Sequence, residues 1–218
     1  MNINIASNIR SVTRFLSDVQ KKQIPFAMAN TLNDLAFKAR KPALPDAADK
    51  TFQGGATPFT KRGFFVKKAR KTNLVAEVFI GDKQMDYMKF QVKGGTRFPK
   101  RKALMISTDA TKLNKYGNIT PATYAKLIND RTKYFAGIPK GKTGAQFEGI
   151  WERYGRSRRN SGGQRIRMVA RYVDKAQYRP LFPFGDTVKG VVFAQTGGVT
   201  DIFRKRLNQA LRTAKPRK

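Results

Sequence analysis

The stretch 24–41, IPFAMANTLNDLAFKARK, constrains the fold of this chain most strongly, because it predicts a long helix with two different faces. Pro25 suits the first turn of a helix, where a backbone N–H would lack a partner in any case. Pro42 and Pro45 are expected to stop the helix, and positive charge before them complements its dipole. The apolar stripe of the predicted helix consists of Ala29, Leu32, Leu35, Ala36 and Ala39, and the closing cations are Lys38, Arg40 and Lys41.

The helical pattern extends upstream, where Ser7 suits a cap and Ile9, Val12, Leu16 and Val19 continue a stripe. We expect one long helix within residues 1–45, over roughly 7–41 and kinked near Pro25, or two helices in line. Such a helix would reach about 50 Å at 1.5 Å per residue, which exceeds the width of a small domain. Part of it is therefore expected to dock on another chain, through Ile24, Pro25, Phe26, Asn30, Leu32, Asn33 and Leu35.

The net charge is the second constraint. The chain has 218 residues, with 45 Lys and Arg against 14 Asp and Glu, which gives a formal net charge of +31. Such a charge favours polyanionic partners. Aromatic residues make up 11% of the sequence, which indicates a folded basic protein and not a disordered basic tail.

Missing residue types exclude several kinds of site. The sequence has no cysteine and no histidine. Disulfides, zinc sites built on these residues and histidine-based catalysis are therefore excluded. No apolar run is long enough to span a membrane, and the N-terminus lacks the apolar region of a signal peptide. We expect no membrane partner and assembly in the host cytoplasm.

The remaining patterns predict an α+β fold in one domain, 1–218. Its mainly antiparallel sheet lies within 63–173, and long N- and C-terminal helices flank the sheet. Residues 42–62 are expected to form a loop, and a bend is expected at Gly197-Gly198 in the C-terminal helix. The predicted strands are 63–70, 73–81, 103–107, 133–138, 146–154 and 165–173, and the predicted helices are 83–92, 121–131 capped by Thr120, and 186–213.

Basic side chains recur in clusters, and the loop 155–164 is expected to extend as a basic hairpin arm. Such clusters can neutralise phosphates, with a steep salt dependence, or can contact an acidic protein surface. The interleaved aromatics Phe64, Phe65, Phe98, Trp151 and Tyr154 can stack on bases, although packing within the sheet is the favoured interpretation. The predicted polyanion contacts are Lys67, Lys68, Arg70, Lys71, Arg97, Lys100, Arg101, Lys102, Lys140, Lys142, Arg153, Arg156, Arg158, Arg159, Arg204, Lys205 and Arg206.

No catalytic constellation emerges from the sequence, so we expect neither an enzyme nor a cofactor. The carboxylates Asp109, Asp130, Glu148 and Glu152 are expected to be solvated or ion-paired. GIPKGKTG at 137–144 approaches a phosphate-binding loop, but its second glycine comes one residue too early. A hairpin turn over 140–145 is the favoured interpretation.

The run QKKQIPFAMANTLNDLAFKARK resembles the opening of the minor tail protein Z family of tailed phages, over 20–41 and more loosely over 1–45. The resemblance implies a virion protein of the neck, which joins a finished tail to the DNA-filled head. It implies as partners the head–tail connector or portal-side protein and the tail terminator or tube protein. A homo-oligomeric ring is then expected, with viral double-stranded DNA in the channel as a further contact.

Two alternatives belong to other classes. One is a free DNA-binding protein without sequence preference that acts in genome packaging or retention, which the net charge favours and the apolar helix faces do not. The other is an enzyme, but a nuclease needs clustered carboxylates for metal, and a lysin needs a paired acid and base. Neither pattern is present in the sequence.

Overall fold

The computed structural model describes residues 16–100, 102–139, 147–156, 164–194 and 196–213. The α+β class is confirmed, with helices at both ends of the described chain and antiparallel sheets between them. The described residues form two compact units. We call them the helical unit, from the described residues within 16–51, 56–88 and 182–213, and the sheet unit, from the described residues within 52–55 and 89–181.

The N-terminal part of the chain is helical from Leu16 to residue 51. A π-helical segment, Val19–Gln23, leads into α1, Ile24–Lys38, and Ile24, before the proline of its first turn, has helical φ and ψ. The break lies in Ala39–Ala43, where Lys41 is extended at φ −155° and ψ 121°. The sequence predicted a kink near Pro25, but the residue that leaves helical geometry is Lys41. The ring of Pro42 disfavours helical geometry in the residue before it. The predicted start of the helix, 7–15, lies outside the described residues.

The predicted loop over 42–62 is also wrong, because it contains two helices. These are α2, Leu44–Thr51, and α3, Pro58–Lys61. A proline occupies the second residue of α2 and the first residue of α3, positions at which its missing N–H costs nothing. Thr57 caps α3 by accepting a hydrogen bond from the Thr60 N–H at 3.2 Å.

The rest of the helical unit follows the predicted order. Strands β1, Phe64–Lys67, and β2, Glu77–Ile80, form the expected antiparallel hairpin. Helix α4, Asp82–Lys93, follows, and its residues from 89 onward belong to the sheet unit. Met88 of this helix is buried, whereas Met85 is 39% exposed.

The C-terminal stretch forms α6, Phe184–Ala194, and α7, Thr196–Thr213, and residue 195 between them lies outside the described residues. Gly197-Gly198, where a bend was predicted, lie within α7. Helix α7 packs on α1. Phe64 and Phe182 are among the largest fully buried side chains of this unit, with ring centroids 5.9 Å apart.

The sheet unit contains a four-stranded antiparallel sheet in the order β4-β7-β6-β5. Its strands are β4 Leu104–Ser107, β5 Tyr134–Gly137, β6 Gly149–Arg156 and β7 Gln164–Val173. The last three pair in chain order, where the strands 133–138, 146–154 and 165–173 were predicted. A small antiparallel pair is formed by β3, Gly95–Arg97, and β8, Ala176–Tyr178. Helix α5, Pro121–Asn129, is capped by Thr120 as predicted.

The core of the sheet unit joins α5 to the middle of the sheet. Leu127 packs there with Ile150, Val169 and Ala170. A register shift opposite Ile150 buries two consecutive residues of β7. The buried side chains of this strand therefore do not alternate strictly. Tyr124 and Ile128 of α5 are 48% and 47% exposed.

Candidate polyanion-binding surfaces

The surplus of cationic side chains cannot be neutralised within the chain. All 14 acidic residues lie in the described part of the sequence, against 45 Lys and Arg in the whole chain. Even if every carboxylate paired with one cation, 45 − 14 = 31 cations would have no acidic partner. Solubility does not require so one-sided a surface. The predicted contact residues differ in the groups of the same chain that each basic side chain contacts.

The first predicted cluster lies at the end of β1 and in the hairpin that follows it, and its side chains are exposed. Lys67 pairs with Glu77 across the hairpin at 3.0 Å. Arg70 exchanges two backbone hydrogen bonds with Asn73, at 2.8 and 3.0 Å, which closes the turn. An exposed pair of this kind contributes about 0–1 kcal/mol, so it leaves the cluster accessible to a stronger anionic partner.

The two other lysines of this cluster lie on aromatic rings of α1. The Lys68 amine is 5.5 Å from the ring centroid of Phe37, and the Lys71 amine is 5.0 Å from that of Phe26. Exposed cation–π contacts contribute about 0.5–1 kcal/mol. They order the two amines without neutralising their charges.

The same segment covers part of the predicted docking face of α1. Asn33 donates to the Ala69 carbonyl at 3.1 Å and accepts from the Ala69 N–H at 2.7 Å. Leu35 is buried within the chain, whereas Phe26 is exposed. Asn33 and Leu35 are therefore engaged within the helical unit and not free for a partner. The other predicted docking residues, Ile24, Pro25, Asn30 and Leu32, are half-buried.

In the sheet unit, the predicted cluster around 97–102 spans the end of β3 and the loop after it. Arg97 is half-buried and lies 6.0 Å from the ring centroid of Phe90. Lys100 and Lys102 are exposed, and Arg101 lies outside the described residues.

Arg153 is held by its own chain. Its Nη1 donates to the carbonyls of Arg131 and Thr132 at 3.0 and 3.2 Å, and its guanidinium lies 4.6 Å from the ring centroid of Phe135. These contacts use the planar face and one edge of the guanidinium. Arg153 is therefore better placed to hold the turn before β5 than to bind an external anion.

Several predicted contacts cannot be placed. Arg156 is the last residue of β6, and the arm 155–164 lies mostly outside the described residues. The predicted turn over 140–145 also lies outside them. The predicted contacts without a described position are Arg101, Lys140, Lys142, Arg158 and Arg159.

A buried carboxylate in the sheet binds two cations that the sequence patterns did not single out. Glu152 is 5% exposed and accepts from Arg167 Nε at 2.6 Å, with Lys133 Nζ at 3.0 Å. Burial alone would raise the pKa of Glu152, but hydrogen bonds from Arg167 and Lys133 outweigh it and lower the pKa. Glu152 and Arg167 are cross-strand partners, so only the register brings them together.

The predicted cluster on α7 consists of Arg204, Lys205 and Arg206, and each of these cations has a different environment. Arg206 binds Asp34 of α1 through Nε and Nη2, each at 2.7 Å. Arg204 makes an exposed contact with Asp201 at 3.4 Å. Lys205 is exposed on the rim of a cleft of about 430 Å³ between α1 and α7. The cations that border this cleft are Lys38, Lys41, Lys205 and Arg206, the first two of which the sequence patterns did not single out as contacts.

The other carboxylates considered from the sequence do not assemble into a metal centre. Asp130 accepts from the Lys133 N–H at 3.1 Å, and Asp109 and Glu148 are exposed. Within the described residues, no three acidic side chains are placed to hold a metal ion. Among the same residues, no helix has the length and apolar character that a membrane span requires.

The interleaved aromatics divide into two groups. Phe64 is 1% exposed and Trp151 is 8% exposed, with its Nε1 donating to the Gly137 carbonyl at 3.0 Å. Phe65, Phe98 and Tyr154 are exposed. Packing within the fold therefore accounts for the first group, and Phe65 also packs on its cross-strand partner Phe79, with ring centroids 5.9 Å apart. Phe98 is the most exposed of the five, at 66%.

Comparison with known proteins found no matching family model, no matching curated protein and no matching solved structure.

Proposed function

We propose that this chain is a structural virion protein of a tailed phage, a minor tail or tail-completion protein of the neck. In this role it joins the tail, or its terminator, to the connector of the DNA-filled head. The observation that supports the proposal most directly is the uncompensated cation excess on a folded protein. The resemblance of residues 20–41 to the minor tail protein Z family supplies the location in the particle.

The mechanism we propose is binding without turnover. Exposed lysines and arginines on the hairpin, on the loop after β3 and on α7 would bind acidic surfaces of the connector or phosphates of DNA in the channel. Phe26, exposed on α1, would remain available for contact with a neighbouring subunit of the ring. Several copies in a ring would multiply weak single contacts into a stable joint.

Deletion of the gene from the phage, followed by electron microscopy of the particles, tests the joining role. We expect filled heads beside complete but unattached tails. A plasmid copy should restore joined particles, which controls for effects on neighbouring genes. Normal joined particles without the protein would overturn the proposal.

The second candidate is a free DNA-binding protein that acts in packaging or retention, and the surplus of 31 cations is the observation that favours it. Purified protein should then bind duplex DNA with a log–log salt slope of several units, because each neutralised phosphate releases counterions. Empty heads with intact connectors in the deletion mutant would favour this candidate. Absence of duplex binding at about 0.1 M salt would exclude it.

A further inference from the structure

The cleft between α1 and α7 is held open by a fixed frame. The Arg206–Asp34 pair joins the two helices, and Arg206 Nη1 also donates to Gln209 at 3.1 Å. The Arg206 and Asp34 side chains are 35% and 29% exposed. The pair therefore links the two helices that line the cleft and remains partly open to solvent.

The charge of the cleft is strongly positive. Lys38, Lys41, Lys205 and Arg206 border it, and Asp34 is the acidic residue among its described lining. The described lining therefore carries 4 − 1 = +3 charges. The surplus of positive charge among the lining residues favours an anion as the ligand of this cleft.

The cleft also has apolar walls. Phe37 contributes from α1 and Ile202 contributes from α7. A volume of about 430 Å³ lies within the usual range of about 300–1,000 Å³ for ligand pockets. A DNA duplex is too wide to enter such a cleft, and its phosphates would leave the apolar walls without a partner.

The cationic surface continues along α7. A second depression of about 380 Å³ shares Lys205 and Gln209 with the first. It adds the cations Arg204 and Arg212, together with Asp201 and Asn208. From Ile202 to Arg212 the helix rises about 15 Å, at 1.5 Å per residue. An extended chain covers that distance in about five residues, at about 3.3 Å each. The elongated shape suits a polypeptide segment better than a single small anion.

The cleft and the second depression together form one cationic groove along α7. We infer that this groove binds an acidic, extended segment of a partner protein. An apolar side chain of the segment enters between Phe37 and Ile202, and carboxylates on either side of it meet Lys41, Lys205 and the arginines of α7. This inference deepens the proposed function and rests on it for the partner's place in the particle. Its test uses the isolated protein, so failure here would leave the joining role to the gene deletion.

The test is fluorescence anisotropy with the labelled peptide Glu-Glu-Leu-Glu-Glu and full-length protein at about 0.1 M salt. In the variant K41E/K205E the dissociation constant should rise about tenfold or more, because two cations at the groove become repulsive. The matched control is K50E/K83E, which has the same net charge and changes exposed lysines that do not line the groove. Its dissociation constant should change less than about threefold.

Three further measurements keep the inference open to refutation. The thermal melting temperature of both variants should match that of the parent, because the changed side chains are exposed. The peptide Gln-Gln-Leu-Gln-Gln should not bind measurably. Exchange of the central leucine for serine should weaken binding, because the apolar walls lose their partner.

Equal losses in the two variants would mean that only net charge matters and would overturn the inference. Equal binding of the glutamine peptide would do the same. A labelled duplex that loses affinity in K41E/K205E but not in K50E/K83E, while peptide binding is unchanged in both, would assign the groove to nucleic acid instead.

Discussion

The guanidinium of Arg206 and the carboxylate of Asp34 form a two-pronged ion pair between residues that are 172 positions apart in the chain. The carboxylate of Asp34 raises the pKa of Arg206 by hydrogen bonding to its charged form. Planar pairing through two parallel bonds fixes orientation as well as distance. This pair therefore sets the relative position of α1 and α7 and, with it, the shape of the cationic groove.

Removal of one charge from this pair should destabilise the protein. In D34N the free energy of unfolding should fall by about 1–3 kcal/mol, because the half-buried guanidinium of Arg206 loses a charged acceptor. Urea unfolding followed by circular dichroism measures the change. The matched control D201N removes an exposed partner of Arg204 and should change stability by less than about 0.5 kcal/mol. Equal losses in the two variants would contradict the structural role of the Asp34 pair.

The buried Glu152 should make stability depend on pH. Its pKa is lowered in the folded protein, so its ionised form stabilises the fold above the unfolded pKa of about 4.3, and this contribution is lost as the pH falls through the folded pKa. E152Q should therefore be less stable than the parent at neutral pH, and the difference should shrink below about pH 4. Thermal melting at several pH values measures it. E148Q, at an exposed position, should follow the parent at every pH.

The two hydrogen bonds between Asn33 and Ala69 should fix the basic segment on α1. In N33A, hydrogen exchange of the Ala69 amide should become about tenfold faster or more, because the amide loses its side-chain acceptor. Exchange followed by mass spectrometry measures this change. N30A, on the same face of α1, is the control and should leave the exchange rate of Ala69 unaltered. Equal protection in both variants would refute the role of Asn33.

Arg153 should matter for stability more than for anion binding. R153A should lower the free energy of unfolding by about 1–2 kcal/mol, because carbonyls of the turn before β5 lose a charged donor. R153K should not restore the loss, since an ammonium cannot reproduce a planar stacked guanidinium. K102A, which changes an exposed lysine, is the stability control. A stable R153A variant with weakened duplex binding would reverse this assignment.

The sequence alone predicted the elements whose signals are local. Helix α5 has its cap, its proline and its periodic residues within one short stretch, and the β1–β2 hairpin has its strands beside its turn. The prolines after α1 were misinterpreted, because a proline suits the start of a helix as well as the end. Pro42 ends regular geometry at Lys41, whereas Pro45 begins α2. The sequence shows a proline's position but not on which side of it the helix lies.

The sequence also determined the cation surplus, since the count of acidic residues alone leaves 31 charges without partners. Only the tertiary structure decided which cations are engaged. Nothing in the sequence distinguishes Arg153 from Arg204, since both are basic residues in predicted clusters. In the structure Arg153 donates to the carbonyls of a distant turn, whereas Arg204 is exposed to solvent on α7. The partners of a long cationic side chain are fixed by strand register and helix packing. Those depend on residues far away along the chain, which no local pattern reports.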